Sequence, residues 1–170
     1  MQGAAMLEAL ENSALAVWVR ESPSIFSYTL VLSLHAIGLA IVLGTSTLIA
    51  LRLLGVAPAI PIESLRRLQG FIWFGFIINL CSGILLFIAE ATKMAPMPAF
   101  IFKMSFVVIG MALGQVIRKK VLEDEGAIAT NVLPASARNL AIISLICWAV
   151  TLISGRLTGY PELVSGMLGL

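Results

Sequence analysis

The stretch FSYTLVLSLHAIGLAIVLGTSTLIALRLLG, residues 26–55, decides the fold of this chain. It is long enough to cross a bilayer, because a helix of about 20 apolar residues spans the ~30 Å of hydrocarbon. It also carries the only histidine, His35. A polar side chain placed in hydrocarbon costs free energy, so His35 indicates a bonding partner or a task inside the membrane.

The composition excludes several classes of protein. Hydrophobic residues make up 59% of the 170 residues and charged residues only 12%, whereas a soluble domain averages about 25% charged residues. The chain is therefore predicted to be an all-α integral membrane protein. The net charge of +2 and the lack of a basic, aromatic-rich run argue against a nucleic-acid partner. A single histidine offers no nucleophile–base–orienter set, so a hydrolytic enzyme is not expected.

The apolar segments predict a four-helix transmembrane bundle over residues 23–170. Its helices are expected at about 26–54, 68–92, 98–118 and 139–158. Residues 1–22 are interpreted as a short amphipathic helix lying in the interface, with Leu7, Leu10, Ala14 and Trp18 on its apolar face. Ser22-Pro23 should end that helix, because the residue before a proline avoids helical angles. The polar segment 119–138 is predicted to be an exposed loop.

Basic residues near the helix ends predict the orientation. The first and third loops with their flanks hold Arg52, Arg66, Arg67, Arg118, Lys119, Lys120 and Arg138. Fewer basic residues mark the opposite side, namely Arg20, Lys93, Lys103 and Arg156. Both termini are therefore expected on the outer side, which is the periplasm in a Gram-negative bacterium.

Polar residues gather in the outer half of the predicted bundle. With a rise of ~1.5 Å per residue, His35 lies about 13 Å and Lys103 about 7 Å from the outer helix ends. Glu90 and Arg156 lie near those ends, and Asn79 lies on a face of small and polar residues in the second helix. The inner half has few comparable residues, which argues against a continuous proton or ion path.

A b-type haem would account for this outer cluster. A neutral imidazole such as that of His35 is a usual axial ligand of haem iron. Lys103 and Arg156 are placed to receive the haem propionates. Tyr28 and Gly38 share the face of His35, and the small Gly38 would let a flat macrocycle approach.

A sixth ligand of the iron would have to come from elsewhere, since the chain has one histidine. The candidates are Met104, Met111, water or a ligand from another subunit. Electron transfer, or redox or gas sensing, would follow from a bound haem.

The outer cluster is also compatible with a protein that binds no haem. His35 could be a neutral imidazole bonded to a carbonyl or to a hydroxyl of the second or fourth helix, while Lys103 and Arg156 snorkel to the interface or pair with Glu90. The protein would then be a non-catalytic accessory or structural membrane subunit without a cofactor. A metal or small-solute transporter is a further alternative, although no inverted repeat or broken helix supports it. Small-residue faces such as Gly110-x-x-x-Gly114 favour a homo-oligomer or membership of a membrane complex.

The same residues carry a family resemblance over about residues 18–160. The motifs are His35-Ala-Ile-Gly38, Leu51-Arg52-Leu-Leu-Gly55, Ser82-Gly-Ile-Leu-Leu-Phe-Ile-Ala-Glu90, Pro98-Ala-Phe-Ile-Phe-Lys103, Ser144-Leu-Ile-Cys-Trp148 and Ser154-Gly-Arg156-Leu-Thr-Gly-Tyr160. With them the chain resembles an uncharacterised family of small four-helix proteins of the bacterial inner membrane. Ala50 stands where that family often carries aspartate. The chain is more distantly similar to CopD-type copper-resistance proteins and four-helix membrane cytochromes b.

Overall fold

The computed structural model of the chain describes residues 2–160 and 162. Over these residues the structure consists of helices joined by short loops. In chain order they are α1 Gln2–Glu11, α2 Ala14–Glu21, α3 Tyr28–Leu53, α4 Ile62–Ala89, α5 Ala91–Met94, α6 Pro98–Ile117, a π-helical turn Arg118–Leu122, α7 Glu125–Thr130 and α8 Ala137–Leu157.

Four helices of the described chain are long and apolar enough to cross a membrane. They are α3, α4, α6 together with its π-helical turn, and α8. The predicted all-α fold with four spanning helices is therefore confirmed. The largest difference in bounds is at α4, which begins at Ile62 rather than near residue 68. Pro61 precedes it in extended backbone and so marks the point where the helix can start.

The amino-terminal segment forms two helices where the sequence predicted one. Ser13 separates them, because its hydroxyl accepts a hydrogen bond from the Ala16 amide at 3.4 Å as the N-cap of α2. Val19 and Ala16 are fully buried, and α2 packs against α4. Trp18 is 45% exposed. The buried face of α2 is thus formed by Ala16 and Val19, on nearly the opposite side of the helix from the predicted apolar face with Ala14 and Trp18.

The four spanning helices associate in two main contacts, α3 with α4 and α6 with α8, and α3 also packs on α8. Gly38 and Gly75 lie at the crossing of α3 and α4. A Cβ added to Gly38 would lie 2.7 Å from the Asn79 amide nitrogen and 2.8 Å from the Gly75 carbonyl oxygen. The two backbones therefore touch where no side chain would fit, as is typical of membrane helices joined through small residues.

The Gly110-x-x-x-Gly114 spacing serves contacts within the chain. A Cβ at Gly110 would lie 3.0 Å from the Trp148 ring of α8, and one at Gly114 would lie 3.6 Å from the Gln69 amide nitrogen of α4. The glycines of α6 therefore make room for side chains of two neighbouring helices.

The segment after α6 is packed rather than fully exposed. Val121 and Leu122, in the π-helical turn, are completely buried together with Leu65 of α4. Asp124 caps α7 by accepting a hydrogen bond from the Ala127 amide at 2.7 Å. The prediction of an exposed loop over residues 119–138 was therefore wrong for this part, because two apolar side chains close the end of the core.

Arg52 is buried at the same end of the bundle, with only 4% of its surface exposed. Its Nε donates to the Ile60 carbonyl at 2.6 Å, and one terminal nitrogen donates to the Asn131 side-chain oxygen at 3.1 Å. Asn131 adopts the left-handed conformation, with a φ of 54°. Arg52 thus joins the loop after α3 to the loop after α7.

A polar network fastens α1 and α2 to the start of α5. The Glu11 carboxylate accepts hydrogen bonds from the Thr92 hydroxyl at 2.6 Å and from the Thr92 amide at 2.8 Å. Arg20 lies 3.7 Å from Glu11 and donates to the Ala89 carbonyl at 3.0 Å, at the end of α4. A cation at this position also suits the negative end of the α4 dipole.

Gly38→Ala should destabilise the protein by about 1–3 kcal/mol, since the added methyl group meets fixed backbone rather than a movable side chain. Gly44→Ala is the matched control on the same helix, because nothing lies within 4 Å of a Cβ at Gly44. Unfolding in mixed detergent micelles measures both. Equal stability of the two variants would contradict the close crossing of α3 and α4.

The Glu11 contact should depend on pH. The hydrogen bonds from Thr92 hold the Glu11 pKa below its ordinary value of 4.5. A lowered pKa means that the carboxylate stabilises the fold at pH values above 4.5 and loses this effect as the pH falls through the lowered pKa.

Glu11→Gln should therefore lower the Tm at pH 7, and the difference from the native chain should shrink below pH 4.5. Glu8→Gln, on the same helix, is the control and should have little effect at either pH. A difference between Glu11→Gln and the native chain that stays constant with pH would show that the carboxylate charge is not involved.

Candidate functional site around His35

His35 lies on α3 about 10 Å from the start of the helix, with its side chain directed towards α4 and α6. Its Nδ1 is 3.1 Å from the Asn79 carbonyl oxygen and 3.2 Å from the Ser82 hydroxyl. Ser82 already donates its own hydrogen to the Ile78 carbonyl at 2.7 Å. Both neighbours of Nδ1 are therefore acceptors, which places the ring proton on Nδ1.

The backbone of His35 is bonded to the same neighbour. The side-chain amide of Asn79 donates to the His35 carbonyl at 2.8 Å. His35 and Asn79 thus exchange a pair of hydrogen bonds across α3 and α4, one helical turn from the Gly38 contact. Asn79 was expected to be a polar partner at the outer half, and the structure brings it to His35.

Gly83 provides the space for the imidazole. A Cβ at Gly83 would lie 3.1 Å from the His35 Cε1, so a larger residue would push the ring out of position. Gly38 was predicted to leave room beside His35 for a flat ligand. In the structure that side of Gly38 is filled by the backbone of α4, because the α3–α4 crossing passes directly over it.

The second ring nitrogen, Nε2, faces Lys103 of α6. The Lys103 ammonium lies 3.5 Å from Nε2. An ammonium group can only donate, so Nε2 carries the lone pair. The stem of Lys103 runs past Gly155 of α8, where a Cβ would lie 3.6 Å from two stem carbons. Four helices therefore contribute to one half-buried cluster that contains both a lone pair and a cation.

Lys103 has no carboxylate partner in the described part of the chain. None of the ion pairs formed by residues 2–160 and 162 includes it. Glu90, one of its predicted partners, instead bonds Lys93 at 3.3 Å. The reason is local: Glu90 lies between α4 and α5, three residues before Lys93, whereas Lys103 points into the bundle.

Arg156 lies at the end of α8 and is exposed. Its guanidinium donates to the Tyr160 hydroxyl at 2.7 Å and lies 4.9 Å from the centre of the same ring. In the described structure no hydrogen bond or ion pair joins Arg156 to Glu90 or His35. The predicted pairing of Arg156 with Glu90 was therefore wrong, since Tyr160 occupies the guanidinium.

The remaining predicted residues lie away from the imidazole. Tyr28 is 43% exposed at the first turn of α3, and Met104 is 40% exposed beside Lys103. Met111 is buried in the apolar core with Trp148, about 12 Å further along α6 than Lys103. The two methionines thus lie on the lipid side and in the core rather than beside Nε2.

Sequence reasoning had allowed a bond from His35 to a carbonyl or to a hydroxyl of the second or fourth helix, and Asn79 and Ser82 supply these partners. It missed Gly83 and the direct contact with Lys103. The signal for Ser82 was present, because Asn79 and Ser82 are three residues apart and share one face of α4. The missing information was which face of α4 meets α3, and this depends on the packing of the glycines.

The proton position on His35 can be tested directly, because the chain has a single histidine. In ¹⁵N-histidine-labelled protein, Nδ1 should give a protonated, pyrrole-type signal and Nε2 an unprotonated, pyridine-type signal. Ser82→Ala should leave this pattern intact, since the Asn79 carbonyl remains. The opposite tautomer would contradict the hydrogen bond to that carbonyl.

Comparison with known proteins gives one match. No curated protein and no solved structure matches the chain. Residues 6–161, which include all four spanning helices and the cluster around His35, match a family described as a family of unknown function, DUF6644. The sequence predicted membership of an uncharacterised family of four-helix membrane proteins. The match supports the part of this prediction that concerns an uncharacterised family. The chain belongs to the DUF6644 family.

Proposed function

We propose that the protein binds a b-type haem in the membrane through His35, for electron transfer or for redox or gas sensing. The observation that carries the proposal is the orientation of the imidazole. Its Nδ1 is bonded to the Asn79 carbonyl at 3.1 Å, so the lone pair is on Nε2. Metal-bound histidines nearly always donate their other ring nitrogen to such an acceptor.

The Lys103 ammonium beside Nε2 supports the same proposal. An ammonium group away from water is costly unless an anion or a strong acceptor meets it. Lys103 has the Nε2 lone pair at 3.5 Å and no carboxylate in the described chain. Haem brings both missing parts, an electrophilic iron for the lone pair and carboxylates for the cation.

Lys103 must turn away from Nε2 for the iron to bind. Its four-carbon stem is flexible, and Gly155 leaves the stem free of a side chain on α8. The ammonium would then be available to a propionate, with Arg156 as a second cation nearer the end of α8. Met104 lies on the lipid side of α6, and Met111 lies too deep in the core. Water or a ligand from a second copy of the protein would therefore supply any further iron ligand.

A second candidate is an accessory or structural membrane subunit without a cofactor. The specific observation in its favour is the pair of hydrogen bonds exchanged by His35 and Asn79 beside the Gly38 crossing. In this function the polar side chains fix the register of α3 against α4, and Lys103 only donates a hydrogen bond to the imidazole.

The visible absorption spectrum separates the two candidates. Protein purified after expression with added haem should show a Soret band, and His35→Ala should abolish or shift it. Lys103→Ala and Arg156→Ala should reduce haem retention, because each removes a cation for the propionates. Lys93→Ala is the matched control at the same end of the bundle, and it should retain haem because Lys93 pairs with Glu90.

The absence of a Soret band under these conditions would reject the haem. A band that is unchanged in His35→Ala would reject the ligand assignment alone. The structural candidate predicts a different result, in which His35→Ala lowers the Tm without any spectral change and the native protein co-purifies with a fixed partner in mild detergent.

A further inference from the structure

A second polar site lies at the other end of the bundle, far from His35. It is a cleft of about 410 Å³ between α4 and the π-helical turn after α6. Its lining residues are Arg66, Arg67, Gln69, Gly70, Trp73, Arg118 and Glu123. Nothing in the proposed haem function uses this cleft, so the inference drawn from it is independent of that function.

The cleft carries an excess of positive charge. Arg66 pairs with Glu63 at 2.9 Å, and Arg118 pairs with Glu123 at 2.7 Å through its Nε. Arg67 reaches Glu63 only at 3.7 Å and is 80% exposed. Three guanidinium groups therefore face two carboxylates, and in the described structure no hydrogen bond uses the terminal nitrogens of Arg118. An additional anion would complete the charge balance.

Gln69, one of the lining residues, has a buried acceptor without a partner in the described chain. Gln69 is only 4% exposed and donates its amide to the Gly114 carbonyl at 3.3 Å. Its Oε1 is buried and has no partner in the described chain. A buried acceptor without a donor costs about 1–3 kcal/mol. Gln115, which follows Gly114 in α6, has a buried donor, its Nε2, that likewise lacks a partner in the described chain.

The depth of the cleft matches that of a lipid headgroup. With 28 residues α4 is about 42 Å long, which exceeds the ~30 Å hydrocarbon core, so its first turns extend into the headgroup layer. Arg66 and Arg67 lie on the second of these turns. Trp73 is 41% exposed two turns further on, as is typical of the aromatic belt.

The surface of α4 beyond the cleft suits acyl chains. Phe74 and Ile77 follow Trp73 towards the membrane centre and are 58% and 56% exposed. A phospholipid could thus place its phosphate among the arginines and its chains against this apolar surface. We infer that the cleft binds the headgroup of an anionic phospholipid, with Arg67 and Arg118 on its phosphate.

Titration with phospholipids tests this site, using delipidated full-length protein in a neutral detergent and native mass spectrometry. The probes are phosphatidylglycerol, phosphatidylcholine and inorganic phosphate. Phosphatidylglycerol should bind more tightly than phosphatidylcholine. Arg67→Gln and Arg118→Gln should each weaken phosphatidylglycerol about fivefold, in line with the effect of one basic residue near an anionic membrane surface.

The matched control is the double variant Lys119→Gln/Lys120→Gln. These lysines are exposed at the same end and adjoin Arg118 but do not line the cleft, so phosphatidylglycerol binding should change less than with either arginine variant. Arg67 is largely exposed, so its replacement tests the site without disturbing the core.

Three results would overturn the inference. The first is equal binding of phosphatidylglycerol and phosphatidylcholine. The second is a larger loss in the lysine variant than in the arginine variants, which would indicate a diffuse surface charge. The third is binding of inorganic phosphate that competes fully with the lipid, which would identify a free anion as the ligand. The Soret band should be the same in all these variants. A negative result for lipid binding therefore leaves the haem proposal untouched, and the reverse also holds.

Discussion

The contact between the backbones of α3 and α4 at Gly38 and Gly75 is the constraint on which the rest of the bundle depends. Lipid gives apolar helices no hydrophobic reason to associate, so van der Waals contact and hydrogen bonds between helices must hold them together. The two glycines allow the contact, and it brings His35 within hydrogen-bonding reach of Asn79. The polar cluster is thus a consequence of where small residues were placed.

The sequence was sufficient to predict which segments span the membrane and which residues are unusual there. Length and hydropathy determine the spans, and the cost of polar groups in lipid singles out His35 and Lys103. The partner of each residue could not be predicted in the same way. Glu90 was a reasonable partner for Lys103 by depth, yet it bonds Lys93, because depth along a helix says nothing about the direction of a side chain around it.

Rotation around the helix axis also explains the outcome at Gly38. The sequence placed Gly38 on the face of His35, which is correct for residues three apart, and the open side of the glycine was assigned to a ligand. In the structure it is occupied by α4. A glycine in a membrane helix leaves space for a cofactor only where no neighbouring backbone packs against it. Whether a backbone packs there depends on the tertiary structure.

The bond between Arg52 and Asn131 has a consequence for how the protein is made. The two residues are 79 positions apart, and α4 and α6 lie between them. During synthesis the α3–α4 hairpin can assemble early, but the Arg52 guanidinium has no Asn131 to bond until the third spanning helix has been inserted. The bond that joins these two loops at the basic end is therefore completed late in biogenesis, after the carboxyl-terminal half of the chain has been inserted.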